Sequence, residues 1–157
     1  MEISRVWSMP SRWTFTIKPI RELLDEEVKG DVWCDPFCGK NGSKYASFLN
    51  DIETSGVDAL DFLSQFPDSS FIGVLYDPPY SITQARKYGR TKFASMKYWK
   101  DVKDQMARVI KPGGKAICFG WSSMGLGKGR GFEMQRILLV PHGGSKNDTL
   151  VTVEIKN

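Results

Sequence analysis

The sequence predicts one open α/β sheet, mostly parallel, with helices on both faces and an antiparallel hairpin at its C-terminal end. Three observations carry this expectation. Short, nearly all-apolar runs of strand length alternate with stretches of helical spacing. Two of these runs end abruptly in acid–proline corners. The last two flank a Gly-Gly turn with no helix between them.

Taken in order, residues 20–28 have amphipathic helical spacing, and Pro19 suits a first helical turn. Val32-Trp33-Cys34 is a short apolar run stopped by Asp35-Pro36, which reads as a buried strand entering a loop. A second strand is expected over residues 46–49. Leu60, Leu63 and Phe66 place a helix over residues 57–66, closed by Pro67. Residues 71–76 are almost purely apolar, the pattern of a strand covered on both faces. Residues 81–94 are polar, basic and aperiodic, a long loop. The amphipathic helix expected over residues 96–110 is stopped by Lys111-Pro112-Gly113-Gly114, and a buried strand follows over 115–119. Glycines at 125, 127, 129 and 131 exclude regular structure from residues 122–131. Strands over 134–140 and 149–155 make the closing hairpin around Gly143-Gly144.

A chain of 157 residues suits a single domain with one substantial core. With 41% apolar and 25% charged residues, it has a globular rather than a disordered composition. No run approaches the roughly 18 apolar residues of a membrane span, and residues 1–5 lack the layout of a secretory signal. A soluble cytoplasmic protein is expected. Cys34, Cys38 and Cys118 do not have zinc-knuckle spacing, so reduced, buried thiols and no metal are expected. The formal charge of +4 is compatible with a polyanionic partner. Arg86, Lys87, Arg90, Lys92, Lys97 and Lys100 cluster in one stretch, with Lys128 and Arg130 in the glycine-rich one; solvated loops fit this pattern as well as a phosphate-binding surface does.

Two stretches at strand C-terminal ends carry chemistry, the edge where open α/β sheets gather their ligands. In Asp35-Pro36-Phe37-Cys38-Gly39-Lys40-Asn41-Gly42, glycines after a strand allow close approach of a ligand, or simply form a turn; the spacing is not that of a phosphate loop. In Asp77-Pro78-Pro79-Tyr80, the prolines stiffen an exposed corner, while the Asp77 carboxylate and the Pro78 carbonyl both accept hydrogen bonds. One amino group can donate to both, with Tyr80 as a flat face for a base to stack on. Two acceptors on the protons of an aromatic amine favour a pyramidal nitrogen and offset its developing positive charge.

These two motifs, in this order and spacing, resemble those of the S-adenosylmethionine-dependent amino-methyltransferases of DNA, with a short phage- or prophage-type subgroup suggested by Phe119-Gly120-Trp121-Ser122 and by residues 142–149. Tyr80 in the fourth place is typical of the N6-adenine enzymes. The resemblance implies a Rossmann-like methyltransferase fold, S-adenosylmethionine as cofactor and DNA as partner. It implies that Asp35, Pro36, Phe37 and Gly39 border the cofactor's methionine part, that Asp51 takes the ribose hydroxyls, and that Asp58 with Ala59 sits by its adenine. Phe15, Thr16 and Ile17 would close that pocket, while Asp77, Pro78, Pro79 and Tyr80 handle the target base.

Plainer roles stand beside these: core packing for Phe15, Ile17 and Trp121, a strand-end acid for Asp51, a helix N-cap for Asp58, and hairpin structure for His142. Trp121 is also a candidate to stack on the target base, and Arg86, Lys87, Arg90, Lys92, Lys128 and Arg130 are candidates for the phosphate backbone. Very few residues separate Gly42 from the second strand, so the helix the family has there is expected to be short or lost. No segment is large enough for a target-recognition domain, which leaves sequence reading to the two loops, a homodimer or a partner subunit. N6-methylation of adenine in RNA, N4-methylation of cytosine, and a catalytically silent cofactor-binding module are the alternatives.

Overall fold

The computed structural model describes residues 1–79 and 91–157. Among these, seven strands form one sheet in the order β1-β6-β7-β5-β4-β2-β3. They are β1 (Glu2–Arg5), β2 (Trp33–Asp35), β3 (Phe48–Leu49), β4 (Phe71–Tyr76), β5 (Ile110–Gly120), β6 (Phe132–Val140) and β7 (Thr149–Lys156). The helices are α1 (Lys18–Glu27), α2 (Ile52–Ser55), α3 (Ala59–Ser64) and α4 (Met96–Val109), with single 3-10 turns at Thr14–Thr16, Thr91–Ala94 and Lys128–Arg130. Only β7 runs against its neighbours, pairing antiparallel with β5 and β6. The expected mostly parallel sheet with a closing hairpin is the sheet observed.

Both faces are covered. Ile20, Leu23 and Leu24 of α1 pack with Trp33, Leu75, Ile117, Phe119 and Val151 on one face. Leu63 of α3 and Tyr98, Val102, Met106 and Val109 of α4 pack with Cys34, Val74, Tyr76, Ala116 and Cys118 on the other. Alternate residues of β4 and β5 thus feed opposite cores, which is why those strands read as unbroken apolar runs.

Strand β1 is not legible in the sequence. Its single apolar residue, Ile3, is 67% exposed, so there is no burial pattern to read. Pairing and charge hold it instead: Glu2 to Arg5 lie in parallel register with Arg136 to Leu139, and Arg136 is paired with Glu2, Glu26 and Glu27. The Lys111-Pro112-Gly113-Gly114 segment also differs from expectation. It ends α4 but lies within β5, as an irregularity between the Phe71–Ile110 and Gly73–Lys115 pairings. Between β2 and β3 the chain makes only turns, so the helix expected to be short or lost is absent there.

Candidate functional site

Strands β2, β3, β4 and β5 are parallel neighbours, or neighbours through one another, so their C-terminal ends open onto one edge. From β2 the chain turns to β3 on one side, while β4 lies on the other, which makes β2–β4 the place where the sheet's winding reverses. Asp35 ends β2, Asn50 and Asp51 follow β3, Asp77 follows β4 and Trp121 follows β5. The loops are tied together: Asn50 N–H donates to Asp35 O and Cys38 N–H to Asn50 O, both at 3.0 Å.

Asp35 is fully buried. Its Oδ1 accepts the Phe37 N–H at 3.0 Å, but its Oδ2 is buried with no hydrogen-bond partner. Burial, and then the charge of Asp77, push this carboxyl up to about 8 against the opposing hydrogen bond from Phe37. An unpaired carboxyl oxygen in such a place is a strong local demand for a donor, and a cationic one above all.

The cleft beside it is lined by Pro36, Phe37, Gly39, Asn50, Asp51, Ile52, Asp58, Ala59, Asp77, Pro79, Phe93, Tyr98 and Trp99. A second lobe shares Phe37, Gly39 and Asp77 and adds Arg12, Trp13, Phe15 and Thr16. Gly39 has φ +71°, and the nearest atom to a Cβ built there is 4.0 Å away in the Trp13 ring, so this wall is left open to a ligand. Beyond Pro78 and Pro79 lies a third cavity, lined by Tyr76, Trp99, Lys103, Cys118, Phe119, Gly120, Trp121, Ser122 and Gly125. The half-buried Asp77-Pro78-Pro79 corner therefore stands between two hollows, with Pro79 and Trp99 in the wall of both. Phe37 meets Tyr76 edge-on at 5.6 Å and lies 5.9 Å from Trp99, and the Trp99 Nε1–H is held by Phe93 O at 2.9 Å.

Most of the residues expected from the sequence thus meet at one edge, but several have other work. Asp51 caps α2, accepting the Thr54 N–H at 3.2 Å, and still lines the cleft. Asp58 is 1% exposed and caps α3 through the Leu60 and Asp61 N–H groups. It also accepts the Tyr98 hydroxyl at 3.1 Å and pairs with Lys92. Burial raises its pKa, but the hydrogen bonds from Lys92, Asp61 and Tyr98 together hold it below the ordinary value. Lys92, a candidate for the phosphate backbone, lies across the Phe93 and Tyr98 rings and is ion-paired with Asp58. Arg130 is likewise engaged, with Asp104 at 2.7 Å and Leu126 O at 3.0 Å, while Lys128 is exposed. Ile17 is core, 5% exposed, and does not line the cleft. Phe15 does both jobs, packing 4.9 Å from the Phe119 ring. Trp121 is 43% exposed at the rim of the third cavity. Tyr80, Arg86, Lys87 and Arg90 lie outside the described residues.

His142 is 8% exposed; its Nδ1–H donates to Ser8 O at 2.9 Å and its Nε2 meets the Thr149 hydroxyl at 2.8 Å, which is the hairpin role. Among the described residues, no three His, Cys, Asp or Glu side chains are grouped to hold a metal ion, and no helix is long and apolar enough to cross a membrane. Cys34 and Cys118 are buried and free, and burial pushes both thiols well up. Sequence reasoning expected the α4 helix but did not single out Phe93, Tyr98, Trp99 and Lys103 as cavity-lining residues. An aromatic pair, Tyr98-Trp99, beginning two residues after the helix start is the one signal that pointed there.

No family profile matches the chain, and no curated protein matches its sequence. Solved structures do match. TrmN from Thermus thermophilus superposes on 90% of this chain with a TM-score of 0.53 at 18% identity, and the chain spans only about half, 49%, of TrmN. The N-methyltransferase NodS from Bradyrhizobium japonicum WM9 superposes on 88% of this chain and 95% of its own, with a TM-score of 0.52 at 10% identity; it has also been solved with S-adenosyl-L-homocysteine. The [4+2]-cyclase SpnF gives a TM-score of 0.55 at 12% identity, over 96% of this chain and 85% of its own. At such identities the likeness is one of fold, and proteins named for different reactions share it, so the chemistry has to be argued from the site. The chain has the Rossmann-like α/β fold of these structures.

Proposed function

We propose that this protein transfers a methyl group from S-adenosylmethionine to the exocyclic N6 amino group of adenine in DNA, in the cytoplasm. The observation that carries the reading is Asp77, on the wall of a cleft beside a corner of two prolines, close enough to the buried strand-end carboxyl of Asp35 to raise its pKa. A cation fits there: the unpartnered Asp35 Oδ2 suits the cofactor's α-ammonium, Asp51 its ribose hydroxyls, and the open wall at Gly39 its methionine part. Ala59 and Asp58 would border the adenine, Asp58 through its position, since its oxygens are already bonded. When bound, the cofactor supplies a sulfonium-activated methyl group.

The protein's part is alignment and field. The Asp77 carboxylate and the Pro78 carbonyl accept the two amino protons, holding the nitrogen lone pair toward the cofactor cleft and offsetting the charge that develops on nitrogen. Tyr80 stacks on the base, which must leave its helix at a cost of about a few kcal/mol. Lys128 and the basic segment containing Arg86, Lys87 and Arg90 hold phosphates through charge. A homodimer or a partner subunit supplies sequence recognition. The testing experiment is expression in methylation-free cells, followed by genome-wide mapping and nucleoside analysis of the DNA. N6-methyladenine at defined sites is expected; unmodified DNA, or modified cytosine or RNA alone, refutes the adenine-DNA assignment.

A further inference from the structure

We propose that Lys103 reads the target base, its ammonium donating a hydrogen bond to the ring nitrogen beside the amino group that is methylated. The inference rests on the function proposed above and adds a residue to it. Among the described residues that line the cavity beyond Pro78 and Pro79, Lys103 is the single charged side chain, on a wall otherwise made of prolines, aromatic rings, thiol and glycine or serine. Flat faces from Tyr76, Trp99 and Trp121 suit a heterocycle. One cation among them suits a heterocycle with an acceptor.

The state of this ammonium differs from that of its neighbours. Lys97 and Lys100 on the same helix are paired with Asp101 and Asp104, and Lys92 with Asp58. Among the described residues Lys103 has no carboxylate within ion-pair distance; its Nζ donates to Gly125 O at 2.8 Å and lies 5.9 Å from the centre of the Tyr76 ring. Three protons on an ammonium, one spent on a carbonyl, leave donors for an acceptor in the cavity.

Its position is also held from below. Buried Glu154 accepts the Leu126 N–H at 2.6 Å and the Gly127 N–H at 2.9 Å. Gly125, at φ +53°, lies so close over that carboxylate that a side chain would collide with it. The carbonyl that holds Lys103 is therefore itself fixed to β7, and the ammonium is aimed before any base arrives. Adenine offers such an acceptor on each side of its amino group, N1 and N7.

The experiment uses an oligonucleotide duplex carrying a site mapped in cells, with the target adenine replaced in turn by 1-deazaadenine and 7-deazaadenine, and compares wild type with Lys103→Met. On adenine, the variant should lose roughly 10- to 100-fold in kcat/KM, the size of a hydrogen bond to a charged group. On the analogue that lacks the contacted nitrogen, wild type should fall to the same level and the variant should fall no further. Full variant loss persisting on both analogues, or wild type turning over all three substrates equally, overturns the proposal; the second result needs no variant that folds. Failure of the underlying reading is seen separately, as no transfer by wild type to unmodified adenine.

Discussion

Replacing Asp35 with Asn tests the most unusual group in the protein. The substitution keeps an acceptor for the Phe37 N–H and puts a neutral amide where Oδ2 now lies buried without a partner. A carboxyl held at about 8 in the folded protein, against an ordinary 3.8, corresponds to on the order of 5 kcal/mol of folding free energy forfeited on ionisation. The sign follows from proton counts. Between those two values the folded chain holds a proton that the unfolded chain has released, so this contribution is fully present below about pH 4 and falls as pH rises. It is lost by just above pH 8. Asp35→Asn has no such dependence, so its urea-derived stability should exceed wild type by an amount that grows from pH 5 and levels off near pH 8 to 9. S-adenosylmethionine should reverse the order at neutral pH: pairing with a cation lowers the pKa of Asp35 and should release close to one proton. Calorimetry in buffers of different ionisation enthalpy measures that proton, and the variant should release none. Parallel stability profiles for the two proteins from pH 5 to 9 would refute the reasoning.

Other expectations follow from the same contacts. Asp58→Ala should cost about 1–2 kcal/mol for the lost helix cap alone and strand Lys92; because Asp58 is held below its ordinary pKa, its share of stability should be present at neutral pH and disappear as pH falls through its folded value, by acid titration of both proteins. Glu154→Gln should lower the melting temperature by several degrees, since either the buried Leu126 N–H or the part-buried Gly127 N–H then faces an amide NH2, a cost of about 1–3 kcal/mol. Lys103→Met should leave S-adenosylmethionine binding by calorimetry within a few-fold of wild type, because Lys103 lines the cavity on the other side of the proline corner.

What could be read from the chain was what burial pattern and local chemistry write into it. Residues 71–76 are apolar because both faces of β4 are covered, and the strand observed has those bounds. Helices α1 and α4 show their buried stripes at Ile20, Leu23 and Leu24 and at Tyr98, Val102 and Met106. The acid–proline corners announce themselves as strand ends, and Asp35 and Asp77 do meet at one edge. Strand β1 left no trace because salt bridges to Arg136 and backbone pairing hold it. The pairing of Lys92 with Asp58 was hidden for a different reason: Asp58 is 34 residues away, and a basic stretch looks the same whether or not a lysine reaches a buried acid. Lys103 was invisible likewise, one more charged position on a helix until the Gly125 carbonyl and the cavity wall gave it a direction.

In the proposed function Asp77, with the neighbouring Pro78 carbonyl, acts on the amino group of the base and not on the cofactor. Single-turnover transfer of a labelled methyl group by Asp77→Ala, beside calorimetry with S-adenosylmethionine, separates the two. No detectable transfer is expected, with cofactor affinity nearly that of wild type; transfer at the wild-type rate would contradict this role of Asp77.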